Sequence, residues 1–533
     1  MEPSRGETRM NDRADMTYGQ PAKKAAREAL LATAVGNLTT DRKNAVVVRE
    51  AEFDEVLAFA RPTLKRFFRE VSAFESFNRE LDVFADEWRR DHRKVTNPKR
   101  AEDLRVLYLC GPEPLNDLQL LVDMGIDPRN CWGIESDRAA YQRARESLAN
   151  SGWPMHLYNG DLKSFLELVP ERFDIIYYDA CGPLAGGSPN TLPPLLRAIL
   201  FSRLEPLSAL VTNFAFPSDD ERYEGLYGHF FHARYNDVPA FLHEGIGPEA
   251  FENDPEGLGA FLARDAEETY SEFVTRFVVD LARTILPNAK ALSVTEIARD
   301  FFEQRSVLNE TMASALRGGP TFEDIGAARR TPFSFPLLHF FQNLETTSPN
   351  DPLINALRDV RHAGKPLLDT VKQSSLLEHF VEIGPGVAGG ALVDALKNSW
   401  FDRGAGWSCD EPFPHLLINS VLGSYGYPFH PNTRASLRLK YRAKSTTMFS
   451  DCLILDQCRY FYEMVPGLDL VKHRFTYIPL QILLRVQIDR MSWNDHGASA
   501  HPFSGGALAG HGETPNTRAY LFSRRTALPV VQE

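Results

Sequence analysis

Short apolar runs alternate with stretches of helical periodicity between Leu104 and about Pro217, and a polar residue follows each run. Runs of this kind, each followed by a helix, are typical of strands in a parallel sheet that is buried on both faces. This alternation is the strongest constraint on the fold. It predicts an α/β protein with a mostly parallel sheet and helices on both faces. Helical periodicity before and after this stretch predicts an N-terminal helical cap and a large helical insertion or second domain.

The first unit, RVLYLCGPEPLNDLQLLVDMG, has the pattern of a buried strand, a tight loop at Gly111 and a helix. A Rossmann-like nucleotide-binding unit begins in this way. Pro112 and Pro114 stand where a dinucleotide fingerprint has further glycines, so the GxGxxG motif is absent. The unit therefore predicts a nucleotide-binding loop and disfavours a nicotinamide-dependent oxidoreductase.

Three carboxylates follow the next three strands: Glu135 after NCWGI, Asp161 after MHLYNG, and Asp179 after FDIIYY. The carboxyl ends of parallel strands lie along one edge of an open sheet, and ligands bind at that edge. A carboxylate at the end of the second strand can accept hydrogen bonds from both ribose hydroxyls of a nucleoside. Glu135 has this position.

The order of these motifs resembles that of the class I S-adenosylmethionine-dependent methyltransferases over about residues 104–217. The resemblance implies a site for S-adenosyl-L-methionine and a methyl acceptor that the sequence does not identify. It implies that the loop around Gly111 lines the methionine part, Glu135 holds the ribose, and Asp161 approaches the adenine amine. Asp179 would face the methyl-transfer site as the catalytic residue. The implied cofactor-binding residues are Cys110, Gly111, Glu113, Glu135 and Asp161.

The first motif departs from the family pattern. The family has an acidic residue before the turn and at least two glycines through it, whereas this chain has Tyr108 before the turn and two prolines after Gly111. Proline offers no N–H group to a ligand. Glu113 or Asp117 could replace the missing acid, and a degenerate Rossmann scaffold without a cofactor is the alternative.

The fourth motif, Asp179 to Pro183, lacks the two prolines and aromatic residue of methyltransferases that act on exocyclic amino groups. Asp179 could orient an amine, act as a general base toward a hydroxyl, or cap the turn through the N–H groups of Cys181 or Gly182. Cys181 could add to a pyrimidine as a thiolate, but the Pro-Cys pair expected for that chemistry is absent. A buried structural thiol is the favoured interpretation.

The rest of the chain falls into regions of different character. The sequence predicts disorder over 1–20, a helical region over 21–100 with a break near Pro62, the Rossmann-like core over 101–217, a mainly helical domain over 218–407, and a mixed region over 408–533. Strand-like alternation in ASLRLKYRAKSTTMFSDCLILDQC could complete the sheet.

Several segments outside the core could carry chemistry. The glycine-rich stretch 379–396 matches an isolated methyltransferase loop, but its flanks favour a turn between helices. His229 and His232 could ligate a metal, although a solvated loop is favoured. The aromatic loops 425–434 and 501–511 could stack a base, and packing is the alternative.

Composition limits the partners of this 533-residue chain. It has 43% hydrophobic and 24% charged residues and contains no apolar run long enough to cross a bilayer, so we expect a protein without membrane contact. The net charge of −12 argues against a large nonspecific nucleic-acid surface. Six cysteines without a CxxC pair and no signal-peptide pattern predict free thiols in the cytoplasm.

The leading hypothesis is a cytoplasmic methyltransferase that uses S-adenosyl-L-methionine. The alternative is a noncatalytic Rossmann-like nucleotide-binding or scaffold protein that acts with a partner. The sequence does not determine the methyl acceptor or the oligomeric state.

Overall fold

The computed structural model shows one large sheet with helices packed against it. The described residues are 20–66, 68–186, 190–232, 248–251, 254–293, 335–362, 364–370, 423–464, 478–494 and 522–529. Apart from residue 20, the predicted disorder over 1–20 lies outside these ranges, as do the predicted turn in 379–396 and the predicted aromatic loop 501–511.

The described α-helices, numbered in chain order, are α1 Pro21–Leu38, α2 Arg42–Ala45, α3 Glu50–Lys65, α4 Val71–Thr96, α5 Leu115–Asp123, α6 Arg138–Ser151, α7 Leu162–Leu168, α8 Leu192–Leu200, α9 Asp220–His232, α10 Pro255–Leu262, α11 Ala266–Ser293, α12 Phe335–Thr347, α13 Pro352–Asp359, α14 Arg459–Tyr462 and α15 Ile478–Asn494. The strands are β1 Val106–Leu109, β2 Cys131–Glu135, β3 His156–Asn159, β4 Phe173–Asp179, β5 Leu204–Ala215, β6 Arg361–His362, β7 Lys365–Pro366, β8 His430–Pro431, β9 Leu437–Ala443, β10 Thr446–Asp456 and β11 Thr526–Ala527.

Nine strands form the main sheet, in the order β11-β9-β10-β5-β4-β1-β2-β3, with β8 alongside β10. Strands β1 to β5 are parallel in the order 3-2-1-4-5, which is the order of a Rossmann-like sheet. The order reverses between β1 and β4, and this is the point where such sheets bind ligands. The predicted α/β, Rossmann-like fold is confirmed.

Residues 437–456 extend this sheet through a hairpin. Strand β10 runs antiparallel to β5 over nine residue pairs, and β9 pairs antiparallel with β10 on its other side. Lys444, with a φ of 55°, makes the turn between β9 and β10. The hairpin therefore brings the end of β9 and the start of β10 to the carboxyl edge of the parallel strands.

Helices cover both faces of the sheet, and this explains the continuous apolar runs of β4 and β5. One face, which includes Ile175 and Val211, packs against α1, α3, α4, α5 and α15. The opposite face, which includes Ile176 and Leu210, packs against α7 to α13. The predicted helical region after residue 217 therefore shares a hydrophobic core with the sheet.

Hydrogen bonds hold the chain at residues 44–47, around the end of α2, to the region of strands β8 and β10. The Asn432 side-chain amide donates to the carbonyls of residues 44, 45 and 46, at 2.9 to 3.0 Å. The buried Asp456 carboxylate accepts from the Val47 amide at 3.0 Å. The predicted break near Pro62 is displaced, since α3 continues through this proline to Lys65. Pro62 lies in the last turn of the helix, where only a short stretch of backbone must tolerate the missing N–H group.

Within the described part of the chain, the helices are too short or too polar to cross a bilayer.

Candidate functional site

The strand order brings the predicted site residues to one edge of the sheet. The loop after β1 lies between Asp179, at the end of β4, and Glu135, at the end of β2. Asp161 follows β3, one strand further out, and the Gly160 amide donates to the Glu135 carbonyl at 3.0 Å. These residues therefore surround the reversal point of the sheet, with Asp179 on one side of β1 and the other two carboxylates on the opposite side.

The loop after β1 turns through Gly111, whose φ is 59°. Glycine adopts this left-handed conformation without the steric cost of a side chain. The Cys110 amide donates to the Ile134 carbonyl at 3.2 Å, and its thiol lies 3.6 Å from the same oxygen. The thiol is buried, and burial raises its pKa to about 12, so Cys110 could contact a ligand only through its backbone.

Glu113 and its neighbours shape the outer part of this loop. The exposed Glu113 carboxylate accepts from the Asn116 amide at 2.8 Å. The hydroxyl of Tyr108, the residue found before the turn in place of an acid, donates to the Pro114 carbonyl at 3.2 Å. Glu113 is thus positioned by its own loop, with its carboxylate accessible to solvent.

Glu135 is oriented by the start of the next helix. Its Oε1 accepts from the Asp137 amide at 2.7 Å, and Asp137 caps α6 by accepting from the Ala140 amide. Within the described part of the chain, no contact occupies Oε2. One carboxylate oxygen is therefore available for a hydroxyl donor, as the predicted ribose role requires.

Asp161 serves as the N-cap of α7. Its two carboxylate oxygens accept from the amide and the hydroxyl of Ser164, at 2.9 and 2.8 Å. Burial acts to raise its pKa, but these two hydrogen bonds outweigh burial and hold the pKa below its ordinary value. The carboxylate is consequently ionised, with its orientation fixed by α7.

Asp179 forms an ion pair with α1. Lys23 Nζ lies 2.8 Å from Asp179 Oδ2, and both side chains are largely buried. Asp179 Oδ1 accepts from the Asn213 amide at 2.8 Å and from the Cys181 thiol at 3.2 Å. Burial alone would raise the pKa of Asp179, but Lys23 and these two donors lower it. The carboxylate is therefore anionic and has donors on both oxygens, rather than capping the turn through backbone amides.

Hydrogen bonds through Asn213 connect Asp179 to the hairpin formed by β9 and β10. Asn213 Nδ2 also donates to the Tyr441 hydroxyl at 3.1 Å, and Asn213 Oδ1 accepts from Ser450. Burial, together with the nearby Asp179 charge, raises the pKa of Tyr441 to about 12. The neutral Tyr441 phenol of β9 and the Ser450 hydroxyl of β10 thus fix the side-chain amide of Asn213, which donates to Asp179.

A second ion pair lies one turn further along α1. Arg27 Nη1 is 3.0 Å from Asp117 Oδ1, at the start of α5. Burial raises the pKa of Asp117 to about 6, with the charge of Asp179 adding to the effect and Arg27 opposing it. Lys23 and Arg27 therefore place two cations beside two carboxylates at the edge of the sheet.

Sequence reasoning did not identify Lys23, Arg27, Asn213 or Tyr441. Lys23 and Arg27 are four residues apart in PAKKAAREAL, so they lie on one face of α1. Arg27 also follows the apolar spacing of this helix, a signal for a buried charge that needs a partner. No local pattern indicates which carboxylate is that partner.

The interpretation of Cys181 as a buried structural thiol is wrong. Its side chain is exposed, whereas the other described cysteines, Cys110, Cys131, Cys452 and Cys458, are buried. Cys181 follows the end of β4 and has a φ of 52°, a left-handed conformation that is uncommon for a residue other than glycine. The chain therefore leaves the sheet at this residue, with the thiol beside Asp179.

Two further predictions fall on described residues away from this edge of the sheet. His229 and His232 lie in the last turn of α9 rather than in a loop, and the described residues contain no group of three metal-ligating side chains. The predicted loop 425–434 contains strand β8, in which the buried His430 lies 2.8 Å from the Tyr462 hydroxyl. This loop therefore packs within the protein.

Comparison with solved structures finds similarities at low sequence identity. A candidate caffeoyl-CoA O-methyltransferase from Staphylococcus aureus is 12% identical, with a TM-score of 0.18 over 37% of this chain and 73% of that one. The plantazolicin methyltransferase BamL, in complex with a triazolic desmethylPZN analogue and SAH, is 14% identical, with a TM-score of 0.19 over 48% of this chain and 77% of that one. No family model matches the chain, and no curated protein matches its sequence. The fold assignment rests on the strand order of the sheet itself.

Proposed function

We propose that this protein is an S-adenosylmethionine-dependent methyltransferase whose donor binds at the reversal point of the sheet. The observation that carries the proposal is that the left-handed Gly111 follows β1 while the Glu135 carboxylate lies at the end of the adjacent strand β2. In Rossmann-like sheets the first loop and an acid after the second strand hold a nucleoside in this way. The motif order of residues 104–217 supports the same assignment.

The residues at the edge are suited to a nucleoside with a charged amino-acid tail. The available oxygen of Glu135 would accept from a ribose hydroxyl, and the ionised Asp161 would accept from the adenine amine. The backbone of Cys110 and Gly111, together with the exposed Glu113 carboxylate, would line the methionine part. Proline at positions 112 and 114 removes two amide donors from this loop.

Asp179 would act on the acceptor as an orienting group. Bound S-adenosyl-L-methionine supplies an electrophilic methyl group, so the protein needs to align a nucleophile with it and exclude water. Since Lys23, Asn213 and Cys181 lower the pKa of Asp179, its carboxylate is a weak general base. It can still accept a hydrogen bond from an amine or hydroxyl and hold the lone pair of that group toward the methyl.

The methyl acceptor is unidentified, and we assign its selection to the helical region 218–407. The predicted strand-end residues all precede Pro217; they are Gly111, Glu135, Asp161 and Asp179. Helices α9 to α13 cover the face of the sheet that includes Ile176 and Leu210. Photocrosslinking with an adenosine analogue tests this division. Labelled peptides should come from 101–217, whereas labelling mainly within 379–396 would transfer the nucleoside site to that stretch.

Calorimetry with S-adenosyl-L-methionine, S-adenosylhomocysteine and NAD tests the function. We expect the two sulfur nucleosides to bind and NAD not to bind. Glu135→Ala should weaken binding by about 1.5 to 3 kcal/mol for each ribose hydrogen bond lost. Glu146→Ala is the matched control, because Glu146 is an exposed carboxylate on the following helix.

A noncatalytic nucleotide-binding or scaffold protein is the alternative. Wild-type affinity in Glu135→Ala would contradict the assigned pocket. Tight nucleoside binding without methyl transfer to any nucleic acid, protein or small metabolite in a labelled-donor screen would favour the scaffold.

A further inference from the structure

The loop after β4 contains two residues in an unfavourable backbone conformation. Cys181 has a φ of 52° and Ala185 a φ of 60°, and neither is glycine. Such left-handed residues are unfavourable and persist only where the surroundings fix them. The loop begins directly after Asp179, so whatever fixes it also bears on that carboxylate.

Four consecutive carbonyls of this loop each accept a hydrogen bond. Gly182 accepts from the Ala215 amide at 3.0 Å, and Pro183 from the Thr191 hydroxyl at 2.8 Å. Leu184 accepts from the Tyr223 hydroxyl, and Ala185 from Arg222 Nη2 at 2.9 Å. The backbone of the loop is thus fixed at successive peptide groups.

Leu184 is held from both sides of its backbone by two helices. Its amide donates to the Tyr270 hydroxyl of α11 at 2.8 Å, and its carbonyl accepts from the Tyr223 hydroxyl of α9. The two tyrosine rings also make an edge contact, with centroids 5.7 Å apart. Both tyrosines are buried, and burial raises the pKa of each, so their hydroxyls remain neutral.

Arg222 connects the loop to a third helix. Its guanidinium makes two contacts of 2.8 Å with the buried Asp351 carboxylate, which caps α13 by accepting from the Leu353 amide. Since this bidentate pair fixes the guanidinium, the contact with the Ala185 carbonyl is also fixed. The helical layer therefore supports the loop through three side chains.

We propose that Arg222, Tyr223 and Tyr270 are positioning residues that hold the strained loop after β4 and thereby set the geometry of Asp179 and Cys181. Their catalytic consequence rests on the proposed function, whereas the state of the loop does not. The helical region thus has a role at the site besides any contact with an acceptor.

The thiol of Cys181 reports on this loop independently of activity. It donates to Asp179 at 3.2 Å, nearer than Lys23 Nζ at 3.9 Å. The nearer carboxylate disfavours the thiolate, which is the reactive form. A loop that relaxes should therefore react faster with a thiol reagent. The experiment uses a Cys409→Ser background, because Cys409 lies outside the described residues and the remaining cysteines are buried.

In the full-length protein, labelling with 5,5′-dithiobis(2-nitrobenzoic acid) should be about threefold faster in Tyr270→Phe. This is the change expected when the pKa of the Cys181 thiol falls by one unit, because about ten times more thiolate forms but each thiolate is less nucleophilic. Tyr223→Phe and Arg222→Lys should accelerate labelling in the same direction, and they decide the question if Tyr270→Phe does not fold. Thr269→Val is the matched control, since it removes a buried hydroxyl on α11 that bonds to the Leu262 carbonyl instead of the loop. Wild-type labelling rates in the folded loop variants, or equal acceleration in Thr269→Val, would overturn the proposal.

A second measurement separates this inference from the proposed function. With an acceptor in hand, Tyr270→Phe should lower kcat about tenfold and leave the affinity for S-adenosylhomocysteine within about twofold, since only the acceptor side is displaced. Equal losses in kcat and in nucleoside affinity would overturn the positioning role. A wild-type protein that neither binds the nucleoside nor transfers methyl would refute the proposed function, and the labelling rates would still decide the state of the loop.

Discussion

Two carboxylates near the same two cations have pKa values shifted in opposite directions. Burial acts to raise the pKa of both Asp179 and Asp117, but Asp179 has an ion pair with Lys23 and two further donors, which lower its pKa. Asp117 has Arg27 at 3.0 Å and the repulsive charge of Asp179 nearby, so its pKa rises to about 6. The number of donors, rather than the depth of burial, decides whether the pKa of each carboxylate is lowered or raised.

Asp117 should make folding stability depend on pH. Its pKa is about 6 in the folded protein, against 3.8 ordinarily, so the folded state binds an extra proton between these values. The associated stability is present below about pH 4 and is lost as the pH rises through 6, on the order of 2 to 3 kcal/mol. Asp117→Asn cannot titrate. Its free energy of unfolding relative to wild type should therefore increase by this amount from pH 4 to pH 7.

Denaturant unfolding at several pH values measures this difference. The exposed Asp123→Asn on the same helix is the control for the substitution itself. A constant difference for Asp117→Asn would contradict the raised pKa.

The Lys23–Asp179 pair should show strong coupling in a double-mutant cycle. Lys23→Met leaves a largely buried carboxylate without its cation and should cost about 3 kcal/mol of unfolding free energy. Adding Asp179→Asn removes the unpaired charge, so the double variant should be more stable than Lys23→Met alone. Unfolding free energies of the four proteins at pH 7 test this. Additive effects would mean that the pair contributes nothing to folding.

At the scale of the elements, the positions of the strands are more predictable from the sequence than the distant segments that contact them. The apolar runs that end at Glu135 and Asp179 correspond to β2 and β4, because a strand buried on both faces has a local signature. Lys23 and Cys181 are separated by 158 residues, and periodicity carries no information about such contacts. For the same reason the sequence does not indicate that β10 lies between β5 and β9, although the alternation of β9 and β10 is visible in it.

The short strand β11 depends on a buried arginine. The Arg525 guanidinium is paired with Asp451 and also donates to the carbonyls of Leu439 and Ser450, at 3.0 and 2.9 Å. Arg525→Met should cost about 3 to 5 kcal/mol, since it leaves the buried Asp451 charge without its cation. Asp451→Asn in the same chain should restore part of this loss. Chemical denaturation measures both, and Arg524→Met is the neighbouring control.

At the scale of the whole molecule, segments distant in the chain complete one sheet. The parallel strands β1 to β5 come from residues 106–215, but β10 covers the outer edge of β5 from residues 446–456. Helix α1 packs on one face of the sheet, and α11 packs on the other. Asn432 and Asp456 then hold the chain around residues 44–47. The sheet therefore joins the helices on its two faces into one packed unit in the described part of the chain.

The fragment 101–217 should consequently fail to fold alone, although it contains every predicted strand-end residue. Removing β10 exposes the backbone edge of β5, and removing α1 and α11 exposes apolar side chains on both faces of the sheet. Without Lys23 and Arg27, Asp179 and Asp117 would also lose their cations. We expect the fragment to lack a cooperative thermal transition and dispersed NMR amide signals, whereas the full chain refolded in the same buffer should show both. A fragment that unfolds cooperatively and binds S-adenosylhomocysteine would contradict this prediction. It would place the nucleoside site in an independent domain that folds without the ion pairs to α1.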